Sequence, residues 1–236
     1  MALFQKCLNL LLPNQCLGCH CFLDSKIPLC PNCAKKLIIN FSFYCPSCHK
    51  RLPYGCFQCS NHNTPALKAI ACLFDWQDPL VQALIINLKY HNLVPLKDIF
   101  QIYLTTFLNH YIIPLSEQHY SIVPVPLSLQ KLKQRGFNQA EIILPLSMSS
   151  VIPIITNNLV RIKNNAPQAL TASPSERVQN MIGVFNVKNP SAIVNKNFIL
   201  VDDVYTTGAT LNEAAKTLKE NGAKNVIGIT LAGQVY

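Results

Sequence analysis

The chain lacks the features that would place it in a membrane or outside the cell. Its first residues, MALFQKCLNLLLP, hold too short an apolar run to span a bilayer, and Pro13 stops it. They also lack the succession of charged n-region, long apolar h-region and cleavage site that marks a secretory signal. A disulfide framework needs a secreted chain, so reduced cysteines, a cytoplasmic location and no membrane insertion are expected. Internal repeats are missing apart from one cysteine spacing, and there is no low-complexity tail. Aromatics make up 8% of residues and few interleave the basic ones, which argues against a general single-strand groove built on stacking rings. Acids are scarce too, since 11 Asp and Glu face 20 Lys and Arg, a formal net charge of +9. Of the 236 residues, 50% are hydrophobic, enough to bury a sizeable core in one or two domains.

The cysteines indicate two domains. Ten of the eleven lie within residues 1–59, and eight form C-x-x-C pairs: Cys16/Cys19, Cys30/Cys33, Cys45/Cys48 and Cys56/Cys59. Two such knuckles commonly hold one tetrahedral zinc, so eight thiols can fill two four-cysteine sites with two structural ions. A redox-active C-x-x-C does not need four pairs in succession. Two pairing schemes fit, neighbouring knuckles or interleaved ones, and His20, His49 and His62 flank the pairs as substitutes. Cys7, Cys21 and Cys72 are left over as buried or free thiols. Residues 1–62 carry six Lys and Arg against one Asp. Eight thiolates with two zinc ions add about −4, so the loaded module is nearly neutral and the basicity must lie further on.

It concentrates in residues 129–178. LQKLKQRGFNQAE presents Lys131, Lys133 and Arg135, and later stretches add Arg161, Lys163 and Arg177 against only Glu141 and Glu176. The segment follows YSIVPVPLS, whose Ser121 to Val125 reads as a strand, so cations stand beside a strand's carboxyl end. A pyrophosphate group with Mg²⁺ requires such donors. Between the cysteines and this region, PLVQALIINLKYHN and LKDIFQIYLTTFLNHYI read as amphipathic helices whose Leu84, Leu88, Ile99, Tyr103 and Phe107 face a core. Lys89 is the cation there that stands out, next to Tyr90, and it joins the basic candidates for pyrophosphate.

The most specific stretch is FILVDDVYTTGATLNEAAKTLKENGA, residues 198–223. Phe198 to Val201 reads as a buried strand, and Leu211, Ala214, Ala215 and Leu218 recur at helical spacing before an Asn221-Gly222 stop. Asn225 to Ala232 is the next strand, which makes a βαβ unit and a parallel sheet with a ligand crevice at its carboxyl edge. Thr206, Thr207, Gly208, Ala209 and Thr210 can wrap a phosphate with hydroxyls and helix-end amides. Asp202 and Asp203 would repel that phosphate but suit a neighbouring diol and a divalent cation. A sugar phosphate satisfies both.

ILVDDVYTTGATL resembles the phosphoribosyl-pyrophosphate (PRPP) loop of type I phosphoribosyltransferases. VPVPLSLQKLKQRGFNQAEIIL, PQAL, RVQNMIGVF, LIINLKYHN and the cysteine-rich start are similar to the ComF family, so the resemblance covers nearly the whole chain. Lys131 and Lys133 stand where that family usually has Arg, and Asn92 near a common Gly. The resemblance implies an α/β chain: a type I phosphoribosyltransferase fold with a central, mainly parallel sheet, preceded by a small double zinc ribbon. The ribbon occupies residues 1–62 and the second domain 63–236, with a helical connection over 63–118 and the PRPP-binding core over 119–236. Asp202 and Asp203 would then hold the ribose hydroxyls, and residues 206–210 the 5-phosphate. Pro126, Leu127 and Ser128 would bind pyrophosphate through their backbone, and residues 161–180, with Gln168, Arg177 and Asn180, would form a flap. The implied reaction is displacement at the ribose anomeric carbon with Mg²⁺; no acceptor or catalytic residue is legible, and Tyr205, an apolar ring with one polar tip after the acid pair, is not assigned the role of recognising one. The family is associated with natural DNA uptake in competent bacteria, which implies handling of incoming single-stranded DNA. The alternative is a non-catalytic DNA-binding or adaptor protein on the same scaffold, with the ribbons docking a helicase or other uptake protein.

Overall fold

A computed structural model describes residues 14–62, 66–90, 95–163 and 179–234. In the cysteine-rich start, β1 (Asn14–Gln15) pairs antiparallel with β2 (Phe22–Leu23) around the first knuckle. The short helix α1 (Pro31–Ala34) follows Cys30, its N-cap, and has a proline in its first turn, where no N–H is needed. β3 (Leu67–Asp75) is next, a nearly all-buried strand. The sequence reading makes this region a helical connection, yet its first element is an edge strand of the main sheet. LKAIACLFD is apolar throughout and too short for a buried helix, a pattern a strand covered on both faces produces.

The two expected helices follow as α2 (Pro79–Tyr90) and α3 (Leu96–His110), then a short α4 (Ile112–Glu117). β4 (Tyr120–Pro124), α5 (Leu129–Arg135) and α6 (Gln139–Ile142) carry the chain across the sheet's carboxyl edge. β5 (Leu159–Arg161) and β6 (Phe185–Val187) make a separate antiparallel pair. The βαβ unit closes the fold as β7 (Asn197–Tyr205), α7 (Ala209–Glu220) and β8 (Asn225–Gly233).

The main sheet is parallel, in the order β3-β8-β7-β4. Alternation along its strands sorts two cores. Ile199 and Val201 face α2 and α3, where Leu84, Leu88, Phe100, Leu104 and Phe107 are buried. Phe198 and Leu200 face α7 and meet Leu211, Ala214, Ala215 and Leu218. The cysteine module shares the first of these cores, because Leu29, Leu37, Phe43 and Phe57 belong to the same apolar cluster as α3. Tyr44 is joined to Ile70 of β3 by two backbone hydrogen bonds, of 2.8 and 2.9 Å. Hydroxyls of Tyr103 and Tyr111 donate to the Ala34 and Phe41 carbonyls, each at 3.0 Å.

Candidate functional site

The sheet's period places the two carboxylates. Asp203 continues the side of Ile199 and Val201 and so meets α2; Asp202 takes the opposite side. β7 extends through both to Tyr205, four residues beyond the expected end, because β8 runs alongside and pairs Asp202 with Thr230. The acids therefore sit on rigid strand rather than on loop.

Asp203 is buried and both its oxygens are engaged. Lys89, at the end of α2, places its ammonium 2.7 Å from Oδ1, and the Gln139 amide donates to Oδ2 at 2.9 Å. Sequence reading assigns Lys89 to pyrophosphate, but in the structure it pairs with an acid 114 residues away. Gln139 is a residue the reading missed: it is 2% exposed, and its Oε1 has no hydrogen-bond partner. It lay inside the RGFNQAE motif, but nothing in an amide's sequence position marks it as a carboxylate's partner. Asp202 is half-buried and accepts the Asp203 backbone N–H at 2.8 Å. Burial, and then the charge of Asp203, push its carboxyl up to about 7, against the pull of that N–H, Lys89 and Lys131.

Beyond the acids, Thr206 to Thr210 line a small cleft together with Asp202. Gly208 caps α7 with φ +72° and offers no side-chain cap, and the Ala209 N–H at the helix start donates to the Thr207 hydroxyl at 3.4 Å. Tyr205, to which no acceptor role could be assigned from the sequence, is 6% exposed and packed beneath this loop: a Cβ on Gly208 would lie 2.7 Å from its hydroxyl oxygen. Burial foremost, with Cys72 and Cys45 nearby, pushes its phenol up to about 12.

The cations converge in part. Ser128 is the N-cap of α5, its hydroxyl accepting the Lys131 N–H at 3.3 Å. Arg135 is 9% exposed and lies 5.0 Å over the Tyr90 ring, a cation–π contact that ties α5 to α2. Loss of hydration, then Arg135, Arg161 and Lys89, hold the Lys131 ammonium below the usual lysine range, while Asp203 pulls the other way. Lys133 is exposed on the same helix and takes no part in these contacts. Pro126, Leu127 and Arg161 border a cavity of about 250 Å³ that also touches Asn138 and Glu141. Arg177, Gln168, Asn92 and Cys7 lie outside the described residues, as do positions 164–178 of the expected flap.

At the other end, the cysteines gather into two groups. Cys16, Cys19, Cys30 and Cys33 bring their sulfurs within 4.8 Å of one another, which selects the neighbouring over the interleaved pairing. Backbone N–H groups of Gly18 and Cys30 donate to the Cys16 sulfur at 3.4 and 3.3 Å. Burial pushes that thiol up, but the amides of Cys30, Cys19 and Gly18 outweigh it and bring it down to about 6, the form a metal takes. The second group is Cys45, Cys48 and Cys59 with His62. Cys56, expected as the fourth thiol, is exposed and outside it. Both donor sets fit tetrahedral zinc, for which four thiolates or three with one imidazole are usual.

The parallel sheet, the acid pair at its carboxyl edge and the hydroxyl loop at a helix start define a phosphoribosyltransferase-type protein behind a cysteine-rich module. The phosphoribosyl transferase domain family matches residues 146–234. The chain is 39% identical over 119 residues to "Competence protein ComFC" of Bacillus subtilis, covering 49% of this chain and 45% of that one. It is 29% identical over 221 residues to "Competence protein F" of Haemophilus influenzae, covering 90% and 93%. A third relative, "DNA utilization protein YhgH" of Escherichia coli, is 34% identical over 106 residues, covering 44% and 45%. These matches support the ComF family for this chain, and two of the three span less than half of the relative's length. Phosphoribosylpyrophosphate synthetase from Mycobacterium smegmatis resembles it at a TM-score of 0.32 and 18% identity, over 56% of this chain and 33% of that one. Among the described residues, no helix is long and apolar enough to cross a membrane.

Proposed function

We propose that the protein binds PRPP with Mg²⁺ at the carboxyl edge of β7 and uses that site in the handling of incoming single-stranded DNA in the cytoplasm. The observation that carries this reading is the joint placement of Asp202 and the Thr206–Thr210 cleft at one helix start. The loop amides and threonine hydroxyls take the 5-phosphate, and Asp202 takes the ribose diol and the cation. Asp203, already held by Lys89 and Gln139, keeps the strand end and Lys89 in place. Lys131, Arg135 and Arg161 supply the positive field for pyrophosphate. The names of the relatives support the DNA role, as do the exposed Lys131 and Lys133 of α5.

Turnover would be displacement of pyrophosphate from the anomeric carbon by an acceptor of unknown identity. The second reading, a scaffold that binds DNA or docks an uptake partner without catalysis, is favoured by Tyr205 being packed under the loop rather than open to an acceptor. Calorimetric titration of the zinc-loaded protein with PRPP and Mg²⁺, beside Asp202→Ala, tests the site. Saturable binding that the variant loses is expected. A folded wild-type protein that binds no PRPP would rule the reading out and leave the scaffold role to be tested with single-stranded DNA.

A further inference from the structure

We propose that the second metal centre is a mixed-ligand site made of Cys45, Cys48, Cys59 and the imidazole of His62, and that Cys56 stands outside it as an exposed thiol. The spacing C-x-x-C at positions 56 and 59 points to four sulfurs, so the reason for the departure has to come from the packing of the segment between Leu52 and Cys59.

That segment is pinned at three points: the junction of α3 and α4, the end of α4, and the aromatic pair Phe43 and Tyr120. The Tyr54 hydroxyl donates to the His110 carbonyl at 2.7 Å, and its ring stacks 5.1 Å from Tyr111. The Gln118 amide donates to the Gly55 carbonyl at 3.3 Å. Phe57 is buried edge-on against Phe43 and Tyr120, at 5.0 and 5.5 Å between ring centres. Gly55 turns with φ +75°, and the Cys56 N–H closes the turn on the Pro53 carbonyl at 3.0 Å. With Tyr54, Gly55 and Phe57 all fixed by the helical core, the residue between them faces solvent.

Cys59 is free of those anchors and turns inward, at 6% exposure. Three residues on, His62 returns to it. Zn–S bonds of about 2.3 Å and a Zn–N bond of about 2.05 Å set neighbouring sulfurs about 3.8 Å apart in a tetrahedron, and sulfur about 3.6 Å from nitrogen. The Cys48 and Cys59 sulfurs are 3.9 Å apart, and Cys59 Sγ is 3.6 Å from His62 Nδ1. The first centre obeys the same rule, with 3.7 Å between the Cys19 and Cys30 sulfurs. Exchange of a thiolate for a neutral imidazole also leaves the loaded module one unit more positive than two four-sulfur sites would.

Cobalt(II) substitution reads the donor set directly, because the intensity of sulfur-to-cobalt charge transfer scales with the number of Co–S bonds. The full chain loaded with two equivalents should show seven such bonds, four at the first centre and three at the second. Cys56→Ser should leave both stoichiometry and spectrum unchanged, and iodoacetamide should alkylate Cys56 in the loaded wild type while sparing Cys59. His62→Ala should change the spectrum, by loss of one equivalent or by recruitment of an eighth sulfur. His62→Cys, which keeps four donors, should add one Co–S bond if the alanine variant does not fold. Eight bonds in the wild type, loss of the second equivalent in Cys56→Ser, or an unchanged spectrum in His62→Ala would overturn the assignment.

Discussion

Asp202 is one strand position from Asp203, yet the two meet different surroundings and carry different work. Because its carboxyl is held up to about 7 by burial and by its neighbour, the form that grips a cation predominates only above that pH. Affinity of the wild-type protein for PRPP with Mg²⁺ should fall about tenfold from pH 8 to pH 6 in calorimetric titrations. The same shift acts on the fold with the opposite sign. A carboxyl whose folded value lies above its unfolded one burdens the native state most fully above the folded value. Asp202→Asn should therefore raise Tm at pH 8 and raise it less at pH 5. Gly208 is a second single-residue test. A side chain there would sit at φ +72° and strike Tyr205, so Gly208→Ala should cost about 1–2 kcal/mol in thermal unfolding and weaken PRPP binding together.

Among elements, α2 is more than a cover for the sheet. Leu84 and Leu88 bury one side of it in the core, and one residue past Leu88 its last turn projects Lys89 onto Asp203 at a buried spot. Removal of one partner from such a pair strands the other's charge. Lys89→Met should thus destabilise the protein by roughly 3 kcal/mol, read as a lower urea midpoint at constant slope. Lys89→Met with Asp203→Asn should recover part of the loss. An effect of the single variant no larger than that of a surface lysine would mean that Gln139 alone suffices to hold Asp203. β3 matters in a similar way, since it carries Tyr44 and with it the Cys45/Cys48 knuckle onto the sheet edge.

At the level of the whole molecule, the cysteine module and the α/β fold share an aromatic core in which Phe43, Phe57, Phe107 and Tyr111 pack edge to face. Metal removal should therefore reach beyond the module. Calorimetric unfolding of the zinc-loaded chain is expected to show one cooperative transition, and chelation should lower it as a whole rather than delete a separate early step. Two resolved transitions would mean that the modules fold independently despite the shared core.

Local order was legible in the residues themselves. The β7–α7–β8 unit follows from an apolar run, a 3.6-residue pattern and an Asn-Gly stop, and the hydroxyl loop and the knuckles follow from residue types a few positions apart. Each depends on short-range geometry, which spacing encodes directly. Tertiary structure alone decided what distant segments do to one another: that Lys89 and Gln139 close on Asp203, that Tyr205 lies beneath Gly208, that 67–75 joins the sheet as an edge, and that His62 rather than Cys56 completes the second sulfur group. Such contacts depend on which faces the packed core turns toward each other, and no spacing along the chain records that.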